Sequence, residues 1–502
     1  MKRKGGHFPG IVITVILTVI EFVFIYYLFN TRMIPQNYIM IAVAAIVLFM
    51  VILGFLVWTI YRPVRFVLGM LLAIAMSVMF TFGSVYVNKT ARTLQNISNI
   101  ETETSQIGIY VRNDDPAADI NDTSDYEYGT LQSLDRENTD DVIINLEEDF
   151  GSPVNSRDYS GLSEMVDGLL QEDTDAIILN EAYLDVLDEM GYSDLKSRLR
   201  RIETQTLETP IQTEAADAAC GVPENEKPKE ENVSRKPSLY NNIYTVFISG
   251  IDNRGGLVAK SRSDVNIIAT VNTDTKQVLL VSTPRDYFVP LSISGGVPDK
   301  LTHAGIYGIN VCMDTLGMLY DTEINYYFRI NFSGFVNVID ALGGITVWSD
   351  YDFDSQNEKG YHFDKGENQV SGEAALAFVT ERYSFEEGDR QRGRNQMAVI
   401  KGVIDKALSP ELLKNYSSIL ASLEDCFETN IIYEEIAYQL QRQLKDGGDW
   451  NIVSYSVDGT GDKQKPYSMS QTAYVMVPDY TTVDKAKELM EQVRNGEILS
   501  SE

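Results

Sequence analysis

The stretch 243–286, IYTVFISGIDNRGGLVAKSRSDVNIIATVNTDTKQVLLVSTPRD, decides the fold. Residues 243–249 form a near-continuous apolar run of strand length, the pattern of a strand covered on both faces. Residues 265–271 and 277–281 repeat it, and the turn-rich 272–276 separates the two. Downstream, 303–320 reads as a helix, 324–330 as a strand, and 332–342 as a helix closed by Gly343-Gly344. A strand is expected at 345–348 and a helix at 371–380. The 394–408 segment carries Met397, Ile400, Val403, Ile404 and Leu408 on one side, as an amphipathic helix does. Helices at 410–423 and 433–444 then precede a strand at 451–456. Strands interleaved with helices predict an α/β fold for 240–502, a three-layer α/β/α sandwich with a mixed sheet.

Upstream of this unit, 209–239 reads as a linker with Pro210, Pro223, Pro228 and Pro237 among Glu, Lys and Asn. Residues 88–208 read as a small accessory α/β domain. Strands are expected at 107–111 and 175–179, helices at 161–170 and 181–190, and 141–145 is a further short apolar run. Residues 88–104 are a polar stalk or the end of a long helix.

The first 87 residues differ in kind. The runs 11–29, 38–60 and 66–87 hold one charge between them, Glu21, and each is near the ~20 residues that cross a bilayer as a helix. A cleaved signal peptide would leave the second and third runs unexplained. Lys2, Arg3, Lys4, Arg62 and Arg65 flank the runs on one side, against Arg32 alone on the other. The positive-inside rule then places the N-terminus in the cytoplasm and everything after about residue 88 outside the cell membrane.

Charge follows the same partition. The 502 residues sum to −30, from +5 in 1–87, −21 in 88–239 and −14 in 240–502. Such an acidic body argues against nucleic acid as a partner. Three cysteines are too few for a disulfide scaffold, and three histidines argue against a His-rich zinc site.

Polar clusters interrupt the apolar core at strand ends, where open α/β sheets bind ligands. Gly250-Ile251-Asp252-Asn253-Arg254 follows the first strand, Ser261-Arg262-Ser263-Asp264 precedes the second, and Pro284-Arg285-Asp286 follows the third. A hairpin return would bring Asp252 and Asp264 to one edge, a pair suited to a hard cation such as Mg²⁺ (or Mn²⁺). Taken singly, each cluster reads as well as a surface turn with salt bridges. A fourth cluster places four arginines, Arg382, Arg390, Arg392 and Arg394, within 13 residues of an otherwise acidic body. Arg392 and Gln396 are four apart and share a helix face. Guanidinium forks beside a helix N-terminus suit phosphate; the alternative is a solvated helix start paired with Glu386, Glu387 and Asp389. No Walker loop and no G-x-G-x-x-G is present. On a membrane-tethered exported body, carboxylates and arginines together suggest a lipid-linked pyrophosphate. Cys312 reads as core, and His303, at a helix start, as a packing residue or a ligand contact.

Residues 240–410 resemble the LytR-CpsA-Psr family of bacterial cell-envelope phosphotransferases. The resemblance lies in FISGIDNR (247–254), SRSDVNIIATVNTDTKQVLLVSTPRD (261–286), KLTHAGIYG (300–308), VIDALGGI (338–345) and GEAALAFVTERYSFEEGDRQRGRNQ (372–396). Three spans and an extra exported domain are similar to the capsule-type CpsA branch. The resemblance implies transfer of a glycopolymer, capsular or teichoic-acid-like, from an undecaprenyl-pyrophosphate carrier to peptidoglycan through a phosphodiester. It implies Asp252 and Asp264 as Mg²⁺ ligands, Arg262, Arg285, Arg382, Arg392 and Gln396 as pyrophosphate contacts, and Asp389 as the base. It also implies an apolar slot for the polyprenyl chain near 303–345. One position departs from the family pattern: Thr380-Glu381-Arg382 stands where the family has Arg-x-Arg, which points either to Arg390 or Arg394 as a replacement or to a different substrate. Two rival readings remain, a hydrolase of the same lipid pyrophosphate and a non-enzymatic envelope scaffold or regulator.

Overall fold

The computed structural model describes residues 8–30, 36–57, 63–98, 102–210, 242–251, 260–407 and 427–500. Asp252, most of the expected linker and the expected helix at 410–423 lie outside the described residues.

The head is three helices, α1 (Phe8–Asn30), α2 (Gln36–Val57) and α3 (Pro63–Ser98), each long and apolar enough to cross a membrane. They pack through Leu17, Ile46, Leu53, Val57, Ala73 and Phe80. The apolar part of α3 ends at Lys89, but the helix continues to Ser98. Its 36 residues make about 54 Å at 1.5 Å per residue, well beyond the ~30 Å hydrocarbon core. Residues 88–98 are therefore the end of a long helix.

A five-stranded sheet follows, built from β1 (Thr102–Arg112), β2 (Glu127–Leu131), β3 (Asn155–Tyr159), β4 (Ala176–Asn180) and β5 (Leu199–Pro210) in the order β3-β2-β4-β1-β5. Helix α4 (Arg136–Phe150), which contains the 141–145 run, buries Val142 and Leu146 against one face. Helix α5 (Leu162–Leu170) buries Met165, Val166 and Leu169 against the other. The expected helix at 181–190 is a short 3₁₀ turn, Glu181–Tyr183, followed by the helix Leu184–Glu189. This domain does not own its core alone. Ile306 and Met469 of the C-terminal unit are buried in the same cluster as the α5 residues.

The C-terminal unit holds β6 (Ile243–Ile251), β7 (Ser263–Asn272) and β8 (Gln277–Ser282) at the middle of a six-stranded sheet. Its order is Phe427–Thr429, Tyr326–Asn331, β6, β7, β8, Asn451–Ser456. β6 runs parallel to Tyr326–Asn331, β7 antiparallel to both neighbours, and β8 parallel to Asn451–Ser456, so the sheet is mixed. Every residue of β8 is buried, which is why its sequence is a continuous apolar run rather than an alternation. On one face, Phe247, Ile268, Leu279 and Val281 pack against the helices Ile309–Tyr320 and Tyr480–Arg494. On the other, Ile267, Leu280 and Ile452 pack against Met397, Ile400 and Ile404 of the helix Asp389–Ala407. The three layers are those expected.

In this unit two further expected elements differ. The helix predicted over 303–320 breaks at Gly308, whose φ of +119° lies outside helical space. Residues 345–349 do not join the large sheet but form a separate two-stranded ribbon with Gly366–Val370, alternately buried and exposed.

Candidate functional site

One edge of the large sheet gathers the polar clusters. Ile251 pairs with Ser263 across β6 and β7, so the end of β6 and the segment 261–264 meet at this edge. The ends of β8 and of the parallel strand Asn451–Ser456 open beside them. Here Asp264, Ser282–Arg285, Asp389, Arg390, Arg392, Gly393, Gln396 and Ser456–Val457 line a narrow cleft. The helix Asp389–Ala407 starts five residues before its expected beginning, which brings the arginines into its first turns, with Asp389 suited to the helix N-terminus. Gly393 permits the close approach. A Cβ there would sit 3.0 Å from the Ser282 hydroxyl.

Charges in the cleft are matched but strained for partners. Arg285 Nη1 donates to Asp264 Oδ1 at 2.9 Å, and Thr302 Oγ1 donates to the same oxygen at 3.2 Å. Burial pushes the Asp264 carboxyl up, but Arg285, Arg262 and Arg392 outweigh it and hold the group below its ordinary value. Arg392 Nη2 lies 2.6 Å from Asp389 Oδ1. Burial and the neighbouring Arg285 push the Arg392 guanidinium below its usual range despite that partner. Arg285 Nε is buried with no hydrogen-bond partner among the described residues. Two close guanidiniums, one with an unused buried donor, form an environment that an oxyanion relieves.

The expected site residues separate into groups. Asp264, Arg285, Asp389, Arg392 and Gln396 line the one cleft. Arg262 does not line it; its guanidinium is turned to the accessory domain, 2.7 Å from Glu189 Oε1 and 3.2 Å from Asp185 Oδ2. Arg382 stands outside the lining, bonded to the Tyr383 hydroxyl at 2.7 Å and 4.8 Å from that ring's centroid. Asp252 lies outside the described residues. Of the two candidates to replace the arginine absent at Thr380, Arg390 lines the cleft and donates to Gly459 O at 2.6 Å. Arg394 instead pairs with Glu387 and Gln391. His303 packs and is no cleft residue. It is fully buried, with Nδ1 at 2.8 Å from both Asp299 Oδ1 and Ser468 Oγ. Cys312 is buried in the core, as expected.

Sequence reasoning passed over several residues. Glu381 is buried, and its carboxylate accepts backbone N–H bonds from Gln356, Asn357, Arg382, Tyr383 and Ser384 at 2.5–3.1 Å. It ties the loop bearing Arg382 to the 355–357 loop. Burial raises its pKa, but these amides outweigh it and hold it low. Lys300 and Thr302 were visible in KLTHAGIYG but carried no assigned role. Glu189 had no signal, being one acid in a very acidic domain.

Known proteins show similar chains. A protein of Bacillus cereus (strain AH820) called polyisoprenyl-teichoic acid–peptidoglycan teichoic acid transferase TagU is 31% identical over 259 residues, 51% of this chain and 81% of the relative. The protein of that name from Enterococcus faecalis (strain ATCC 700802 / V583) is 34% identical over 215 residues, 42% of this chain and 68% of the relative. The crystal structure of B. subtilis TagV aligns with a TM-score of 0.43 at 27% identity, over 51% of this chain and 99% of that one. The family model described as the LytR_cpsA_psr family matches residues 210–492, more than half of the chain. The chain belongs to the LytR-CpsA-Psr family.

Proposed function

We propose that this chain is a membrane-anchored phosphotransferase that moves a glycopolymer from a polyprenyl-pyrophosphate carrier to peptidoglycan. The observation that carries the reading is the cleft in which Arg285, Arg390 and Arg392 converge with Asp264, Asp389 and Gln396 at the sheet edge, in a chain with three membrane-length helices. The relatives' printed names, which join a polyisoprenyl-linked teichoic acid to peptidoglycan, favour a teichoic-acid-like polymer. The lysines and arginines flanking the spans support a body outside the membrane, facing the wall.

The arginines hold the pyrophosphate and offset the charge that develops as it reacts. A peptidoglycan hydroxyl attacks the phosphorus on the glycan side. The bond to the bridging oxygen breaks, polyprenyl phosphate leaves, and a phosphodiester remains. Asp389, at the helix start, accepts the hydroxyl proton. Mg²⁺ or Mn²⁺ fits the donor set: Asp264 Oδ1 is engaged by Arg285 and Thr302, while Oδ2 takes part in neither bond. Such ions are often bound by one or two carboxylates plus substrate phosphates. Asp264, joined by Asp252, which follows β6 in the sequence, would hold the ion, which would neutralise phosphate charge.

Arg285→Ala and Arg392→Ala test the assignment. Each should cut transfer from a lipid-pyrophosphate donor by about two orders of magnitude or more. Near-normal rates in both variants would remove the cleft as the site.

A further inference from the structure

A ladder of alternating charge joins the accessory domain to the cleft. It begins at Asp185 and Glu189 on the helix Leu184–Glu189, which grip the Arg262 guanidinium at 3.2 and 2.7 Å. The second oxygen of Glu189 lies 2.7 Å from Lys300 Nζ, and Lys300 lies 3.3 Å from Asp286 Oδ1. Asp286 is 3.8 Å from Arg285 Nε, and Arg285 bonds Asp264 at 2.9 Å. Every member from Arg262 to Asp264 has a side chain at most 24% exposed, so water screens these pairs less than surface pairs. Burial would push the Glu189 carboxyl up, yet Lys300, His303 and Arg262 together hold it below its ordinary value.

Glu189 occupies the junction. It bridges two cations that belong to motifs of the C-terminal unit, SRSD and KLTH. Without its charge, Arg262 and Lys300 would keep one close anionic partner each, Asp185 and Asp286. Lys300 would then draw harder on Asp286, which flanks Arg285.

We propose that Glu189 is a positioning residue for the transfer reaction: the accessory domain sets the orientation of Arg285 and Asp264 through Lys300 and Asp286, and holds Arg262 off the cleft. This rests on the phosphotransferase reading and adds to it a role for a domain outside the cleft. The full-length chain with Glu189→Gln in detergent should lose kcat about 10- to 100-fold, the scale of a misplaced reacting group, without a rise in donor KM. Glu189→Asp, which keeps the charge, should recover a large part of the loss. Met469→Ala weakens the same domain contact through its apolar core and serves as the structural control. At an equal fall in Tm it should leave kcat within twofold of wild type. Wild-type kcat and KM in Glu189→Gln, or an equal kcat loss in Met469→Ala, would overturn the positioning role. An inactive Arg285→Ala beside a normal Glu189→Gln would overturn this inference alone, whereas a wild-type chain that makes no linked product would overturn both it and the phosphotransferase reading.

Discussion

Replacing Arg329 with methionine should strip the joint between the accessory domain and the C-terminal unit of its cation. Arg329 lies on the strand Tyr326–Asn331, 3% exposed, with Nη1 at 2.6 Å from Glu103 Oε1 and Nε at 2.6 Å from Glu428 Oε2. Glu103 belongs to β1, and its carboxylate also accepts the Ile309 amide at 3.1 Å, at the start of the helix Ile309–Tyr320. Removing the arginine leaves two carboxylates buried within reach of one another. Breaking a buried pair in this way costs about 3–5 kcal/mol. At roughly 2–4 °C per kcal/mol for a unit of 150–250 residues, Tm should fall by about 6–20 °C. Differential scanning calorimetry of the purified chain reads this directly. The triple variant Glu103→Gln, Arg329→Met, Glu428→Gln should recover most of the loss, because neutral amides still satisfy the Ile309 N–H and no charge is left unpaired. An unchanged Tm in the single variant, or a triple variant no better than the single, would refute the view that this triad welds the domains.

Other perturbations reach the cleft. Asp389→Asn should lower kcat by about 10²–10⁴ while donor binding persists, the range for loss of a general base, measured as steady-state transfer at saturating donor. The carboxyl of Asp264 is held below its ordinary value, so its stabilisation is present above about pH 4, its unfolded value, and is lost as pH falls through the lower folded value. Urea midpoints taken from pH 7 to pH 3 should therefore drop more steeply for wild type than for Asp264→Asn; parallel curves would contradict the ion pairing. Gly305→Ala would put a Cβ 2.3 Å from Ser261 O and 2.8 Å from Ser263 N. It should cost about 1–3 kcal/mol through displaced backbone and shift the segment that carries Arg262 and Asp264, lowering both Tm and transfer.

The sheet was legible because its central strands are covered on both faces and must be apolar throughout, as β8 is. Polar strands were not. β3 reads Asn155-Ser156-Arg157-Asp158-Tyr159 and is exposed or half-exposed along its length, so it offers no apolar pattern to detect. The broken helix at Gly308 followed from backbone geometry that 303–320 does not advertise. At the site, Asp264, Arg285, Asp389, Arg392 and Gln396 stood out because cations and carboxylates interrupt apolar runs at strand and helix ends. Arg262 stood out for the same reason, but its partners Asp185 and Glu189 come from a domain more than seventy residues away in the chain. No local spacing encodes such a contact. The shared core around Ile306 and Met469 likewise means that deleting residues 102–210 would expose apolar surface. Point variants at the interface are therefore the cleaner probe of the accessory domain.

Transfer itself is the most direct measurement. The full-length chain is incubated with a polyprenyl-pyrophosphate-linked glycopolymer, with and without peptidoglycan oligomers, and the products are resolved by mass spectrometry. Polymer joined to peptidoglycan through a phosphodiester, formed by wild type and lost in Arg285→Ala, is the expected result. Release of unlinked polymer phosphate at the same rate with or without peptidoglycan would identify a hydrolase and contradict the phosphotransferase.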